Sequence, residues 1–421
     1  MGFLLFLFYN TLIPFFIIIS FPLVIVIRTK SFTFKYWIKR IFPEIKAFKN
    51  KTVLFHCSSI GEINAIKSII EFFKNSFPNY TIVITTFTET ALLAAKQITE
   101  NAFIIPFDFY PVIKKFVKKV NPDFIFIAET ELWPSFVKVC SERSKLYYIN
   151  AKISENSFTL YKIISPLLKY SFKKALKIFV QNEESAKRFS HFIDKEKIYV
   201  SGNTKYDVYV KTSDADDIKF LLSKIGFDKK KLITFGSIHL EELDIILKSY
   251  DLIYDKENIK YIIVPRHVEK TRFFEEKIKK IGLKYLKFSD IGESNEEKIN
   301  LFDTQILIVD KIGVLLKFYF LSCICFVGGT LNKIGGHNLL EPSIFSKPVL
   351  FGPNYFNQKE AAQRLIEYKG GFVVKDEYDL KSRIEVLLSE KYLITASLNS
   401  NKALLSLKGA TDKIIKEIFK I

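Results

Sequence analysis

The chain has 421 residues, 48% of them hydrophobic, and 63 Lys and Arg outnumber 45 Asp and Glu for a formal net charge of +18. This length suffices for two domains of ordinary size, and the hydrophobic content excludes an intrinsically disordered protein. The positive charge favours an acidic partner, which could be a nucleic acid, an anionic membrane or a phosphorylated substrate.

Residues 1–28 form a candidate transmembrane or membrane-anchor segment. No residue from Gly2 to Ile27 is charged, and a run of this length predicts one helix that crosses a bilayer. Residues 29–50 are rich in Lys and Arg, and this basic juxtamembrane flank places the rest of the chain on the cytoplasmic side. Shallower interfacial insertion remains open because Pro14 and Pro22 would kink the helix. A cleaved signal peptide is the weaker alternative, because no basic segment precedes the run.

From residue 51 onward, short apolar runs alternate with helical patterns, which is typical of parallel, doubly wound sheets. The expected strands of a first domain, residues 51–206, are Thr52–His56, Tyr80–Thr85, Phe103–Ile105, Asp123–Ala128, Leu146–Asn150, Ile178–Val180 and Ile198–Val200. Those of a second domain, residues 231–385, are Leu232–Phe235, Tyr261–Val264, Gln305–Val309, Ile324–Val327, Val349–Phe351 and Phe372–Val374. A polar linker is expected at 207–230 and C-terminal helices at 386–421.

Residues 326–358 carry the densest set of candidate site residues. They include the glycine pairs Gly328–Gly329 and Gly335–Gly336, followed by His337, Asn338 and Glu341. A short helix is predicted to open near Asn338, and free N–H groups before a helix suit an anion such as phosphate. Glu341 shares a helix face with Asn338, and its carboxylate suits a ribose diol. The stretch therefore predicts a nucleotide site.

Polar residues also follow other predicted strands, where ligands of open α/β sheets bind. They are Glu62, the Glu129–Glu131–Trp133 group, Lys205, Asp207, Arg266 and His267. Arg266 is suited to a bidentate grip on phosphate. Each residue alone has a structural explanation, such as a favourable helix-start charge for Glu62. Their concentration at strand ends favours a functional site.

Several motifs resemble those of the 3-deoxy-D-manno-octulosonic acid (Kdo) transferases, the membrane-anchored glycosyltransferases of bacterial lipid A assembly. They are the S-x-G-E turn (Ser59–Glu62), ETELWP (Glu129–Pro134), NAKIS (Asn150–Ser154), QNEE (Gln181–Glu184), GNTKYD (Gly202–Asp207), VPRH (Val264–His267) and GGHNLLEP (Gly335–Pro342). The resemblance covers almost the whole chain. It implies an α/β fold of GT-B type, with two Rossmann-like domains facing a cleft and an N-terminal membrane-anchor helix. The first domain would bind the acceptor and the second the CMP-sugar.

The resemblance implies that Kdo passes from CMP-Kdo to a lipid A precursor, lipid IVA, with inversion. It makes Glu62 the general base and gives Glu129 and Lys205 the support of the transition state. The CMP-binding segments match Pro265, Arg266, Ile312, Gly313, Val314, Asn338, Leu339, Leu340 and Glu341, beside which His337 is a further donor candidate. The family usually shows Met-Gly-Glu at the middle segment, where this chain has Ile312-Gly313-Val314. A backbone contact to CMP would tolerate this change, whereas a contact through the glutamate side chain would be lost.

The expected partners are lipid IVA, CMP-Kdo and the bacterial inner membrane, with the catalytic domains on its cytoplasmic side. No acidic metal-binding pair ends a strand, so neither a metal nor another cofactor is expected, and no protein partner is inferred. One alternative is another membrane-associated GT-B glycosyltransferase that uses a UDP-hexose donor. A basic nucleic-acid-binding protein is disfavoured, because the charge is spread along the chain and no nucleic-acid motif is present.

Overall fold

A computed structural model describes residues 2–26, 34–207, 215–291 and 303–420. The chain divides into two compact units, Met1–Tyr209 with Lys408–Ile421, and Val210–Leu407. We call them the N-terminal unit and the C-terminal unit. Each contains a seven-stranded sheet in which all paired strands are parallel. The expectation of two doubly wound α/β domains is therefore confirmed.

The N-terminal unit has the strand order β3-β2-β1-β4-β5-β6-β7. Its strands are β1 (Thr52–Cys57), β2 (Thr81–Thr86), β3 (Ala102–Ile104), β4 (Pro122–Ala128), β5 (Lys145–Ala151), β6 (Lys177–Val180) and β7 (Ile198–Val200). Its helices are α1 (Gly2–Val26), α2 (Phe34–Ile41), α3 (Ile60–Ser76), α4 (Glu89–Lys96), α5 (Tyr110–Val120), α6 (Pro134–Ser141), α7 (Glu155–Ile163), α8 (Ser165–Phe172), α9 (Glu183–Phe189) and, from the C-terminus, α17 (Ala410–Phe419). Short 3-10 turns cover Lys195–Lys197 and Thr204–Asp207.

The C-terminal unit has the strand order β10-β11-β9-β8-β12-β13-β14. Its strands are β8 (Lys231–Ile238), β9 (Ile259–Pro265), β10 (Tyr285–Lys287), β11 (Ile306–Ile308), β12 (Ile324–Val327), β13 (Val349–Phe351) and β14 (Gly371–Val373). Its helices are α10 (Asp216–Lys224), α11 (Leu243–Leu252), α12 (Thr271–Ile281), α13 (Leu315–Leu321), α14 (Lys359–Glu367), α15 (Glu377–Leu387) and α16 (Glu390–Leu407). Its 3-10 turns are Val268–Lys270, Phe288–Asp290, Pro342–Phe345 and Phe356–Gln358.

Each sheet has a switch point. After the first strand, the chain adds strands on one side of it and then crosses over to add the remaining strands on the other side. In the N-terminal unit this point lies between β1 and β4, and in the C-terminal unit between β8 and β12. Both strands of each pair are buried along nearly their whole length, because helices cover both faces of a parallel sheet. Loops that leave such a pair border a crevice at the carboxyl edge of the sheet.

The structure differs from the sequence-based expectation at three places. Residues 208–214 of the expected linker lie outside the described residues, but Asp216–Lys224 is a helix because Ile218 and Leu222, four residues apart, bury one face. Strand β10 was not expected, since its three residues Tyr-Leu-Lys are too short and too polar to be distinctive. The C-terminal helices are shared, because α16 belongs to the C-terminal unit and α17 to the N-terminal unit.

Helix α1 is attached to the N-terminal unit through its first ten residues. Phe6 is buried against Tyr110 and Tyr170. The Tyr9 hydroxyl donates to Asp108 at 3.0 Å, and the Asn10 side-chain oxygen accepts from the Tyr110 N–H at 2.9 Å. No helix in the described part of the chain has the length and apolar character needed to cross a membrane. Residues 27–33, which begin the basic flank, lie outside the described residues, and the membrane anchor stays a prediction.

The return of α17 to the N-terminal unit yields a stability prediction. Ile414 is fully buried in a cluster with Phe73, so Ile414→Ala should lower the free energy of unfolding by about 2–5 kcal/mol. Both tryptophans, Trp37 and Trp133, belong to this unit, so urea denaturation followed by their fluorescence isolates its transition. The control Ile163→Ala removes the same atoms from a side chain that is 76% exposed and should change stability by less than about 0.5 kcal/mol. Equal effects of the two variants would contradict this packing.

Candidate functional site

The exit of β1 holds Glu62 in a defined orientation. Ser59 is the N-cap of α3, and Glu62 occupies the third helical position, which forms a variant of the capping box. The Ser59 hydroxyl donates to Glu62 Oε1 at 2.9 Å, and the Ser58 N–H donates to Oε2 at 2.6 Å. The side chain of Glu62 is thus fixed at the carboxyl edge of the sheet.

The charge state of Glu62 is sensitive to its surroundings. Burial and, to a smaller extent, the nearby Glu131 carboxylate raise the pKa of its carboxyl to about 7, although the hydrogen bonds from Ser58 and Ser59 oppose the increase. A buried carboxyl with a pKa near neutrality can exchange a proton at physiological pH. This property goes beyond what a helix cap requires.

Glu129 and Lys205 form an ion pair beside the same switch point. Lys205 Nζ lies 2.7 Å from Glu129 Oε1, and both side chains are about one-third exposed. Glu129 follows β4 directly and has a φ of 57°, a conformation that is strained for a residue other than glycine. Its N–H donates to Ile149 O at 2.9 Å, which holds the backbone in this turn. The predicted pair is therefore in direct contact.

Lys205 is positioned by two asparagines of the recognised motifs. Asn150, at the end of β5, also has a positive φ, 56°, where the register of β5 with β6 shifts. Its side-chain oxygen accepts from the Thr204 N–H at 3.2 Å, and Asn203 Oδ1 accepts from the Lys205 N–H at 3.0 Å. The GNTKYD turn is thus held against the end of β5 by side-chain hydrogen bonds.

Glu131 is a site residue to which sequence reasoning gave no role. Burial raises the pKa of its carboxyl, and the Trp133 indole N–H donates to its Oε2 at 3.1 Å. Trp133 packs edge-on against the buried His56 ring at 5.9 Å, which fixes the orientation of the donor. The position of Glu131 within ETELWP, two residues after Glu129, was the only available signal.

The C-terminal unit gathers the predicted phosphate and ribose residues. Arg266 follows β9, and its N–H donates to Ile238 O at the end of β8. Burial and, to a smaller extent, the positive charge of Arg266 lower the pKa of His337 to about 4. Burial raises the pKa of Glu341 to about 7, while Asn338 and Arg266 oppose this increase. Arg266, His337 and Glu341 are therefore close enough to interact electrostatically.

The glycine-rich turn after β12 is built differently from the expectation. The N–H groups of Gly329, Thr330 and Leu331 donate to the buried carboxylate of Glu242, at 2.8 to 3.0 Å. The His239 N–H donates to the same carboxylate at 3.1 Å. These backbone donors are thus occupied by a side chain of the same unit. The N–H groups of Gly335 and Gly336, which were expected to be free for a phosphate, instead donate to Gly329 O at 3.1 and 2.8 Å. Glu242 lies in GSIHLEE, where its capacity to reach a distant loop has no local sequence signal.

The expected helix at Asn338 is also not formed. The Asn338 side-chain oxygen accepts from the Leu340 N–H at 3.2 Å, an Asx turn that competes with helix formation. A 3-10 turn, Pro342–Phe345, follows instead, with Glu341 at its N-cap. Asn338 and Glu341 are nevertheless neighbours, since Asn338 Nδ2 lies 3.4 Å from Glu341 Oε1.

The remaining candidate CMP-binding residues differ in their exposure to solvent. Gly313 has a φ of +87° and Ile312 is 83% exposed, whereas Val314 packs against the core beside α13. Leu339 and Leu340 are buried, which leaves only their backbone groups for a ligand. Pro265 is the last, buried residue of β9. The roles of these residues stay predictions.

The described part of the chain contains no group of three or more His, Cys, Asp or Glu side chains that could hold a metal ion. The acidic side chains of the two switch points are instead engaged with serine, lysine, tryptophan or backbone groups. Metal independence itself stays a prediction.

The fold is that of a known class of enzymes. A glycosyltransferase from Rickettsia africae superposes with a TM-score of 0.56 at 15% identity, covering 89% of this chain and all of that one. At this identity the likeness establishes the fold alone. Two parallel α/β units with site residues at their switch points define a glycosyltransferase fold of GT-B type.

Sequence comparison identifies the family. Residues 35–208 match the family model of 3-deoxy-D-manno-octulosonic-acid transferase (kdotransferase). The Kdo transferase of Haemophilus influenzae is 32% identical over 346 residues, 80% of this chain and 79% of that protein. A bifunctional glycosyltransferase/methyltransferase of Fusobacterium nucleatum is also 32% identical, over 84% of this chain but 55% of its own length. The chain belongs to the Kdo transferase family and is a glycosyltransferase.

The raised pKa of Glu62 predicts a pH-dependent effect on stability. Its folded-state value, about 7, exceeds the ordinary 4.5, so ionised Glu62 destabilises the fold above pH 7 and this cost fades toward pH 4.5. Glu62→Gln should therefore raise the free energy of unfolding at pH 8 relative to pH 5 by about 1–3 kcal/mol.

Urea denaturation followed by tryptophan fluorescence at the two pH values measures this difference. Glu71→Gln, at an exposed position of the same helix, is the control and should show no such dependence. A Glu62→Gln effect that is the same at pH 5 and pH 8 would contradict the assignment.

Proposed function

We propose that the protein transfers Kdo from CMP-Kdo to a lipid A precursor, lipid IVA, with inversion at the anomeric carbon. Membership of the Kdo transferase family supports the transferred sugar and the donor. The observation that carries the mechanism is the buried Glu62 carboxyl, which two hydrogen bonds orient and whose pKa is raised to about 7.

Glu62 is proposed to act as the general base. A base is most effective when its pKa lies near the working pH, because it is then both available and strong enough to remove a proton. Glu62 takes the proton from an acceptor sugar hydroxyl as that oxygen bonds to the anomeric carbon of Kdo. The bond from this carbon to the CMP phosphate oxygen breaks at the same time, and CMP leaves. Attack opposite the leaving group inverts the configuration.

The Glu129–Lys205 pair is proposed to support the transition state. Its 2.7 Å contact holds the Lys205 ammonium beside Glu129, which follows β4 at the switch point of the N-terminal sheet. Preorganised charges of this kind stabilise developing charge without rearrangement.

The C-terminal unit is proposed to hold the donor. Arg266 and His337 suit the phosphate, and the Glu341 carboxylate suits the ribose hydroxyls. The effects of Arg266 on the pKa values of both His337 and Glu341 support a compact nucleotide site. Ile312–Val314 would contribute through its backbone, since valine replaces the family's usual glutamate.

The membrane is the proposed location of the acceptor. Helix α1 exposes apolar side chains, which are Phe3, Leu4, Leu7, Phe8, Leu12, Phe15 and Ile19. This surface, followed by the basic flank, suits insertion into an anionic membrane. We place the protein at the bacterial inner membrane, with both units on the cytoplasmic side.

Glu62→Gln tests the mechanism. Glutamine keeps the size of the side chain and an oxygen acceptor but does not take up a proton at neutral pH. The rate of Kdo transfer should therefore fall by roughly a hundredfold or more, while CMP affinity, measured by calorimetry, stays unchanged. Glu71→Gln provides the matched control. A folded Glu62→Gln protein that transfers Kdo at the wild-type rate would contradict the assignment of Glu62 as the general base.

A further inference from the structure

Two histidines meet at the switch point of the C-terminal sheet, and only His337 was expected in a binding site. The Nε2 atoms of His239 and His337 lie 2.8 Å apart, and their rings are nearly parallel, with 10° between the planes and 5.1 Å between the centroids. A contact this short requires one nitrogen to donate and the other to accept. The pair can therefore carry at most one positive charge.

Both histidines are fixed to the same buried carboxylate. The backbone N–H groups of His239 and Gly329 donate to the same oxygen of Glu242. The His337 ring lies against Gly329, where a Cβ atom would be 3.2 Å from His337 Nε2 and where the φ of +76° favours glycine. The His337 N–H donates to Gly328 O at 3.2 Å. Glu242 thus positions the two imidazoles through the two loops that it joins.

The charges around the pair come from two loops. Glu241 and Glu242 lie on the His239 loop, and Arg266 and His267 follow β9. The His267 ring centroid is 5.8 Å from that of His239, and His267 Nδ1 is 3.3 Å from Glu269.

In the absence of an anion, the surroundings of the pair disfavour the imidazolium form. Burial lowers the pKa of both His239 and His337, Arg266 and His267 lower both further, and Glu242 and Glu241 oppose this at His239. An arriving anion would reverse the balance, because an opposite charge favours the imidazolium form.

We propose that His239 is a ligand of the donor and that, with His337 and beside Arg266, it forms a two-imidazole oxyanion site. Binding of the anion draws one proton from solvent onto the pair. The imidazolium then donates a charge-assisted hydrogen bond to the ligand. This assignment rests on the proposed function. It adds His239 as a further ligand of CMP-Kdo and one proton that is taken up on binding. Two oxyanions of CMP-Kdo have suitable chemistry, the phosphodiester and the sugar carboxylate.

Calorimetry with the methyl ester of CMP tests the phosphodiester. Its charge is constant near neutrality, whereas a phosphate monoester itself titrates near pH 6. Titrations at pH 7 in two buffers of different ionisation enthalpy measure proton uptake. For the wild-type protein we expect uptake of roughly one proton and an affinity that rises up to about tenfold per pH unit between pH 8 and pH 6.

His239→Asn should lower the affinity about tenfold or more and remove most of the proton uptake. His191→Asn is the control, since His191 is exposed and belongs to the N-terminal unit. His337→Asn gives a second measurement, with the same loss of uptake expected, and circular dichroism melting checks that each variant is folded.

The same titrations with CMP-Kdo distinguish the two anions. Proton uptake with both ligands assigns the phosphodiester, and uptake with CMP-Kdo alone assigns the carboxylate. Two results would overturn the proposal while leaving the proposed function intact. One is that neither ligand causes proton uptake, and the other is that His239→Asn keeps wild-type affinity and proton uptake. Failure of the wild-type protein to bind either ligand would overturn both.

Discussion

Backbone N–H groups at the carboxyl end of a parallel strand need partners, and in the C-terminal unit one buried carboxylate supplies them. Glu242 accepts hydrogen bonds from His239, Gly329, Thr330 and Leu331. It thereby joins the loops that leave β8 and β12, the two strands of the switch point. Loss of this carboxylate would leave four backbone donors unpaired, those of Gly329 and Thr330 in buried bonds, and folded proteins avoid buried unpaired donors. The donor-side histidines depend on this bridge for their positions.

The N-terminal unit places a glutamate at the corresponding position and gives it a different environment. Glu62 follows the first strand of its sheet, as Glu242 does, but accepts from one N–H and one hydroxyl rather than from four N–H groups. It also lies near Glu131, and its pKa is raised to about 7. The two topologically related carboxylates thus differ in the number and kind of their hydrogen-bond donors. One suits a structural role, and the other suits the exchange of a proton.

The residues that define the N-terminal site depend on strained backbone at strand ends. Glu129 and Asn150 both adopt positive φ values directly after or within the last residues of neighbouring strands. These turns direct Glu129 toward Lys205 and let Asn150 hold the loop that carries Lys205. Strain at such positions persists because the surrounding hydrogen bonds determine the conformation. We infer that the strain serves the geometry of the site.

The strands were largely predictable because each is a short apolar run bounded by polar residues, as in Ile324–Val327. Glu129 and Lys205 were identified as candidates from their places after strands, but their contact was not predicted. The role of Glu242 could not be predicted, because three of its four partners lie 87 to 89 residues away and contribute only backbone atoms. The helix expected at Asn338 failed for a local reason, since the asparagine side chain bonds to the Leu340 N–H instead. The sequence pattern thus predicts helices and strands, whereas long-range hydrogen bonds to the backbone can be identified only from the folded structure.

The central claim is that this chain joins Kdo to a lipid A precursor. Mass spectrometry of the precursor after incubation with the full-length protein and CMP-Kdo tests it most directly, with UDP-hexoses as competing donors. We expect a product that is heavier by one or more Kdo residues with CMP-Kdo, and an unchanged precursor with each UDP-hexose. An unchanged precursor with CMP-Kdo, or a hexose-bearing product, would contradict it.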